Sequence, residues 1–294
     1  MEKGKEREEI FRRKIYSKIE ELPTIPVIVT KLINVIEDEN SSISDVVDLI
    51  SKDMALTTKL LKVANSAYYG FSQNISSLNQ AVALLGFNIV RSLLVSIEVM
   101  KRFKDGGKSD YFSHEGLWLH SLAVATVMEN YKKKYGKNKN SSSIFIIGLL
   151  HDLGKIILDQ FFHDTFESVL KIANGEQQRS LHTVEKEVIG LDHNEVGAML
   201  LKRWKFPSEI INPIEYMHNK NRPDDVNSYD IALLRITNSI VRQIEFGKDG
   251  NSKPNDIDKT DLDILSIGDA EIRELKNFLE EKGDSIKDFF TALK

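Results

Sequence analysis

Apolar residues recur along this chain at one-, three- and four-residue steps, the spacing that lays a stripe along an α-helix. Val46, Val47, Leu49 and Ile50 form one stripe, and Leu56, Leu60, Leu61 and Ala64 form the next. Further stripes cover Trp118–Tyr131, Ile144–Leu150, Val196–Trp204 and Ile231–Ile244. Residues that accept hydrogen bonds from free helix N–H groups stand before them. Ser44 and Asp53 are predicted N-caps, and Ser77-Leu78-Asn79-Gln80 reads as a capping box ahead of Ala81–Leu85, with Gly86 closing that helix. Sustained period-two alternation, the mark of a half-buried strand, is missing, and hairpin signals are scarce; Asp249-Gly250 sits in a polar loop. No proline lies between Pro26 and Pro207, which permits long helices without proving them. The pattern predicts an all-α protein.

Three polar stretches divide it: Lys104–Ser113, Tyr135–Ser143 and Gly247–Asp261. Residues 1–21 are densely charged and are expected to form a helix that packs by one thin face or frays. A helical tail, Asp269–Leu293, follows the last loop. No repeat of 20–50 residues is visible.

Composition narrows the function. Of 294 residues, 41% are hydrophobic and 29% charged, a balance that supports a packed core. Forty Lys and Arg stand against 44 Asp and Glu, so there is no basic excess to suggest nucleic acid as a partner. The absence of cysteine removes disulfides, thiolate metal sites and a Cys nucleophile. The charged start lacks the apolar core of a signal peptide, and no apolar run is long enough to span a membrane. A cytoplasmic location is expected.

The chemistry centres on His151-Asp152, a polar dipeptide ending the apolar run from Ile144 to Leu150. Burying such a pair is costly unless both side chains are satisfied. An imidazole and a carboxylate also make good ligands for a divalent cation. His120, His193, His218 and Asn238 each lie on or near a different predicted helix, and helical bundles build metal sites from such side chains. His114, His163 and His182 stand in polar contexts and are expected at the surface. Other motifs fail. Gly148 and Gly154 have the wrong spacing for a P-loop, and His114-Glu115 lacks the second histidine of a zincin. Ala81–Leu94 could pass for a helix-turn-helix, but Arg91 is its only base- or phosphate-reader, so two packed core helices are expected. The run from Lys132 to Lys139 reads as a solvated helix end, and Tyr68-Tyr69-Gly70-Phe71 as an aromatic core anchor.

Over about residues 20–245 the chain resembles the HDOD family, regulatory relatives of the HD-superfamily metal-dependent phosphohydrolases. The resemblance rests on Leu22-Pro-Thr-Ile-Pro, on Ile50-Ser-Lys-Asp-Met-Ala-Leu through Val63-Ala-Asn-Ser-Ala-Tyr-Tyr-Gly-Phe, and on Ile75-Ser-Ser-Leu-Asn-Gln-Ala-Val-Ala-Leu-Leu-Gly. Trp118-Leu-His-Ser, Gly148-Leu-Leu-His-Asp-Leu-Gly-Lys, Gly190-Leu-Asp-His-Asn-Glu-Val-Gly-Ala and Leu201-Lys-Arg-Trp-Lys-Phe-Pro follow in order. It implies a charged N-terminal extension (1–21), an HDOD domain (22–246) and a C-terminal loop and helical tail (247–294). Within the domain, a helical N-terminal subdomain (22–103) packs on an HD-like core (114–246).

Position by position, His120 matches the first metal histidine, and His151 and Asp152 match the HD pair. His193 and His218 match histidines of a second metal site. Asn238 falls where catalytic relatives have an Asp, which removes one negative charge opposite a cation. Asn219 stands where dinuclear branches often carry another His. Gly116 replaces the Glu ligand of a cyclic-dinucleotide-cleaving branch, whose Gly-Tyr-Pro signature is also missing. These departures imply a non-catalytic signalling module that acts through protein contacts and whose HD remnant is either structural or a weak site for a divalent metal (Fe, Mn, Zn or Mg), without an organic cofactor. The chain leaves no room for a receiver or kinase domain beside this module, so its input is expected from another protein or from a ligand in the core cleft. The alternative is a metal-dependent phosphohydrolase acting on a nucleotide or cyclic nucleotide, with Lys155 contacting phosphate.

Overall fold

The structure, a computed structural model, describes residues 2–24, 31, 35, 42–103, 107–136, 143–219, 223, 226–251 and 256–294. Parts of the Leu22–Pro26 motif, the basic run, the three polar loops and the stretch after Asn219 lie outside the described residues. Among the described residues the secondary structure is helical throughout, apart from one isolated bridge between Phe112 and Asp249. The all-α expectation holds. No single helix among them is long and apolar enough to cross a membrane.

The chain forms two compact units, residues 1–23 with 104–280, and residues 24–103 with 281–294. The second unit contains α2 (Ile43–Ile50), α3 (Met54–Ala64), α4 (Leu78–Leu85) and α5 (Phe87–Met100). The N-cap of α2 is Ser42 in a reciprocal box with Asp45, two residues before the expected Ser44. The Ser42 hydroxyl can accept from the Asp45 amide while Asp45 accepts from the Ser42 amide, an exchange open only to that spacing. Asp53 caps α3 as expected. Ser77 caps α4, but Gln80 reaches the Ser76 amide rather than that of Ser77. Gly86 then turns the chain at φ 79°, a conformation that disfavours side chains, and α5 leaves at 114° to α4. Arg91 on α5 is buried and cannot read a nucleic acid.

Asn65 holds the following loop in both directions. Its amide nitrogen donates to the Ile75 carbonyl and its oxygen accepts from the Ile75 amide, each at 2.8 Å. Tyr68 and Tyr69 pack against Phe289, while Phe71 stacks on Tyr69 and stays partly exposed. Lys59 donates to the carbonyls of Leu293 and Lys294 at the end of the chain's last helix, where a cation is favoured.

The first unit carries the chemistry. Helix α1 (Glu2–Glu21) buries the one-turn pair Ile15 and Ile19. Helices α6 (His114–Tyr135) and α7 (Ile144–Leu150) are central, and α7 is buried on every side, as its unbroken apolar sequence requires. They meet at Gly148, where a Cβ would lie 2.6 Å from the Ala125 Cα. Around them stand α8 (Leu153–Ala173), α9 (Leu181–Ile189), α10 (His193–Arg203), α11 (Ser208–Glu215) and α12 (Ser228–Gln243). Helix α13 (Lys259–Leu265) and the start of α14 (Asp269–Leu293) complete the unit.

Gly154 explains how α8 and α10 come so close. A Cβ there would sit 1.8 Å from the His193 carbonyl oxygen and 2.8 Å from the Gly197 amide. Only hydrogen fits between the two backbones. The glycines of the Leu-Gly-Lys and Val-Gly-Ala motifs are therefore one contact, and it sets the start of α10 beside the start of α8.

Candidate metal centre

Helix α7 ends at Leu150, and His151 and Asp152 occupy the turn before α8. Both are fully buried. His120 projects from α6, His193 opens α10 and Asn238 comes from α12. One ligand atom each from His120, His151 and Asp152 lies within 4.8 Å of the other two. Asp152 Oδ2 is 3.3 Å from His151 Nε2 and 4.0 Å from His120 Nε2. Metal–ligand bonds run about 2.0–2.2 Å, so His120, His151 and Asp152 are the residues that would hold a cation here. His151 Nδ1 donates to the Gly148 carbonyl at 2.7 Å, which leaves the Nε2 lone pair facing the cluster.

The hydrogen bonding tests the fit. His151 Nε2 and Asp152 Oδ1 are buried and make no directed hydrogen bond, close as they are to their neighbours. Donor atoms that approach without aligning on one another suit a cation between them. Two features oppose this. Asn238 Oδ1 accepts from His120 Nε2 at 2.9 Å, so that nitrogen carries its proton and must change tautomer before it can ligate. Lys155, fully buried, donates to Asp152 Oδ2 at 2.7 Å and so neutralises the one carboxylate of the trio. The His120, His151 and Asp152 donors fit a divalent cation, and these two hydrogen bonds compete with it.

His193 sits beside the trio in a different state. Its Nε2 is 3.3 Å from Asp152 Oδ1, and its Nδ1 is 2.5 Å from Glu185 Oε2, which also accepts from the His193 amide at 3.0 Å. Burial alone would lower its pKa, but Glu185 outweighs burial and raises it to about 9. The imidazolium has no lone pair for a metal. For His120 burial prevails over the attraction of Asp249 and Asp152, and its pKa falls to about 4. Burial would raise Asp152, but His151 and Lys155 beside it hold the carboxyl well below its usual range.

His218 lies one ring beyond, 5.5 Å from His193 between centroids and stacked at 4.0 Å on His182. Burial lowers both of these pKa values, that of His182 to about 4. The surface expectation fails for His114, while His163 and His182 are partly exposed. His114 is buried and shares Asp159 with His163, at 2.9 and 2.8 Å, and His182 is half-buried against His218. Ser113 and Glu115 on either side of His114 stay exposed, so the helix turns the histidine alone inward. Lys155, expected to meet phosphate, faces Asp152 and Asp249 with no exposed surface.

Two functional residues escaped sequence reading. Asp249, in what reads as a polar turn, is buried and takes Lys155 at 3.1 Å, with Arg242 Nε at 2.8 Å and Nη2 at 2.6 Å. Burial would raise its pKa, and Arg242 and Lys155 overcome this to hold it ionised. Glu185 shares its helix with a second acid, Glu187, and nothing local sets it apart. Its signal was its place eight residues before His193, one helix and one turn away. Gly116 has a local cause as well: Lys248 packs where a side chain would go, its Cβ 2.6 Å from the position of a Cβ at 116.

Helices that bring histidines and one His-Asp dipeptide to a common buried point define an HD-like helical core. Residues 22–220 match the HDOD domain, and the chain belongs to that family. It is similar to an HDOD domain protein of unknown function from Geobacter sulfurreducens, 26% identical with a TM-score of 0.75, covering 98% of this chain and 97% of that one. A candidate phosphohydrolase from Shewanella amazonensis SB2B shares the fold at 21% identity and a TM-score of 0.72, covering 95% and 98% of the two chains. An uncharacterized protein of Treponema pallidum is 27% identical over 236 residues, 79% of this chain and 44% of its own length. The chain spans less than half the length of the curated relatives it matches.

Proposed function

We propose that this chain is a non-catalytic HDOD signalling module that acts through contact with another protein, and whose degenerate His/Asp site binds divalent metal weakly. The observation that carries this reading is the hydrogen bond from His120 Nε2 to Asn238 Oδ1. Two groups that would ligate a cation are engaged with each other, and the second of them is a neutral amide. Lys155 supports the reading from the other side, because Asp152 already has its counter-charge. Cation affinity follows ligand charge and donor type, and this site offers little net charge.

A second reading, a metal-dependent phosphohydrolase, draws on the undirected donor atoms of His151 and Asp152. A cation held by His120, His151 and Asp152 would supply a water of lowered pKa and polarise a phosphoryl oxygen. One experiment separates the two: metal content by mass spectrometry on protein purified without chelator, with hydrolysis of bis(p-nitrophenyl) phosphate measured on the same sample. Substoichiometric metal and no hydrolysis are expected. Hydrolysis that disappears in His151→Ala and Asp152→Ala would establish the enzyme instead. A pull-down from the native host then seeks the protein partner.

A further inference from the structure

Beside the His/Asp cluster lies a cavity of about 270 Å³, lined by His120, Arg242, Lys248 and Asp249 among others. A volume of roughly 150 Å³ already accepts a benzene-sized guest, so this one has room for a phosphate bearing a small organic group. Its wall is the segment after α12, in which Glu245, Gly247 and Gly250 all have positive φ. The Asp249 carboxylate holds that segment inward. Arg242 approaches Oδ2 through Nε and Nη2, and Lys155 reaches the same oxygen from its buried position. The Asn251 amide donates to Oδ1 at 3.2 Å.

A guanidinium fork and an ammonium converging on one anionic oxygen are the donors that recognise a phosphate. Here they are occupied by a carboxylate of the same chain, next to a cavity. We propose that Lys155 and Arg242 form an anion site, that Asp249 plugs it, and that a phosphate group entering the cavity displaces the Asp249 carboxylate and releases the segment 245–251. The charge balance supports exchange. Lys155 and Arg242 offset Asp152 and Asp249. With Asp249 withdrawn, Lys155 and Arg242 keep one positive charge that Asp152 does not offset, while at the cavity rim Lys248 is accompanied by the acids Asp110 and Glu245.

The plug sets the affinity. A tethered competitor acts at millimolar effective concentration or above, so wild-type protein binds a free anion only weakly. This inference stands whether the module signals or hydrolyses, because its test reads binding alone. Inorganic phosphate is titrated into wild type and Asp249→Asn at constant ionic strength, with affinity followed by ³¹P line broadening and folding by circular dichroism. Asp249→Asn should bind about tenfold more tightly or better, and adding Arg242→Gln should remove the gain. Equal affinity in folded wild type and Asp249→Asn would overturn the proposal, as would a gain that survives Arg242→Gln. If Asp249→Asn does not fold, hydrogen exchange of the wild type decides. Saturating phosphate should speed exchange of the amides in 247–251, the reverse of ordinary ligand protection. Unchanged or slowed exchange there would refute displacement.

Discussion

Gly154→Ala tests the idea that a backbone-to-backbone contact places His193 beside Asp152. The added methyl would sit 1.8 Å from the His193 oxygen, 2.7 Å from its carbonyl carbon and 2.8 Å from the Gly197 nitrogen. All three are main-chain atoms, so no rotamer change relieves the clash. Ordinary contact begins near 3.4 Å, so α8 and α10 must separate by well over an ångström. Overpacking of this kind costs about 1–3 kcal/mol and occasionally more, and the rigid neighbours put this case at the upper end. Helix propensity returns no more than about 1 kcal/mol in favour of Ala. At about 2–4 °C per kcal/mol for a body of this size, a net loss of about 2 kcal/mol or more lowers the melting temperature by roughly 4–8 °C or more. Gly268→Ala is the control: its Cβ would have only Glu271 Oε2 nearby, at 3.8 Å. Thermal unfolding by circular dichroism measures both. A Gly154→Ala protein melting at or above the wild-type temperature would refute the argument.

Asn238→Asp should raise Mn²⁺ and Zn²⁺ affinity about tenfold or more in isothermal titration, since a second carboxylate joins Asp152; equal affinities would mean that residue 238 is not a ligand. Asp159→Ala removes the acceptor shared by His114 and His163 and should cost about 1–3 kcal/mol in urea unfolding, a loss that a surface position would not show. Ser42→Ala deletes one half of the α2 capping box and should cost about 1 kcal/mol, whereas Ser44→Ala should change stability by less than about 0.5 kcal/mol.

The helices were legible in the sequence because a buried face imposes its period on the residues that form it. Trp118–Tyr131 shows that period plainly, whereas Ile144–Leu150, apolar at every position, has none and by itself fits a buried strand equally well. The His120, His151 and Asp152 cluster was legible through resemblance, since spacing along the chain does not report where separate helices meet. Asp249 was not legible. Asp-Gly in a polar stretch is ordinary turn chemistry, and the burial of this carboxylate depends on Arg242 and Lys155, the latter 94 residues away. Glu185 was obscured for a similar reason: an acid in a charged helix looks solvated until another helix brings a histidine to it. His114 shows the converse error, because polar neighbours in sequence say little about a residue at the start of a helix that is itself buried.

The one irregularity inside α8 has a mechanical meaning. Phe162 departs from helical geometry at φ −138° and ψ 37°, so the 21-residue helix is two shorter rods joined end to end. The first rod carries Lys155 and Asp159, and the second begins with His163, whose ring reaches back across the break to Asp159. Phe11 of α1 rests on Phe162, 5.0 Å between ring centroids. A push on the N-terminal helix thus arrives at the break in a helix whose other end starts beside the candidate metal centre, with the Asp159 carboxylate bridging that break to His163.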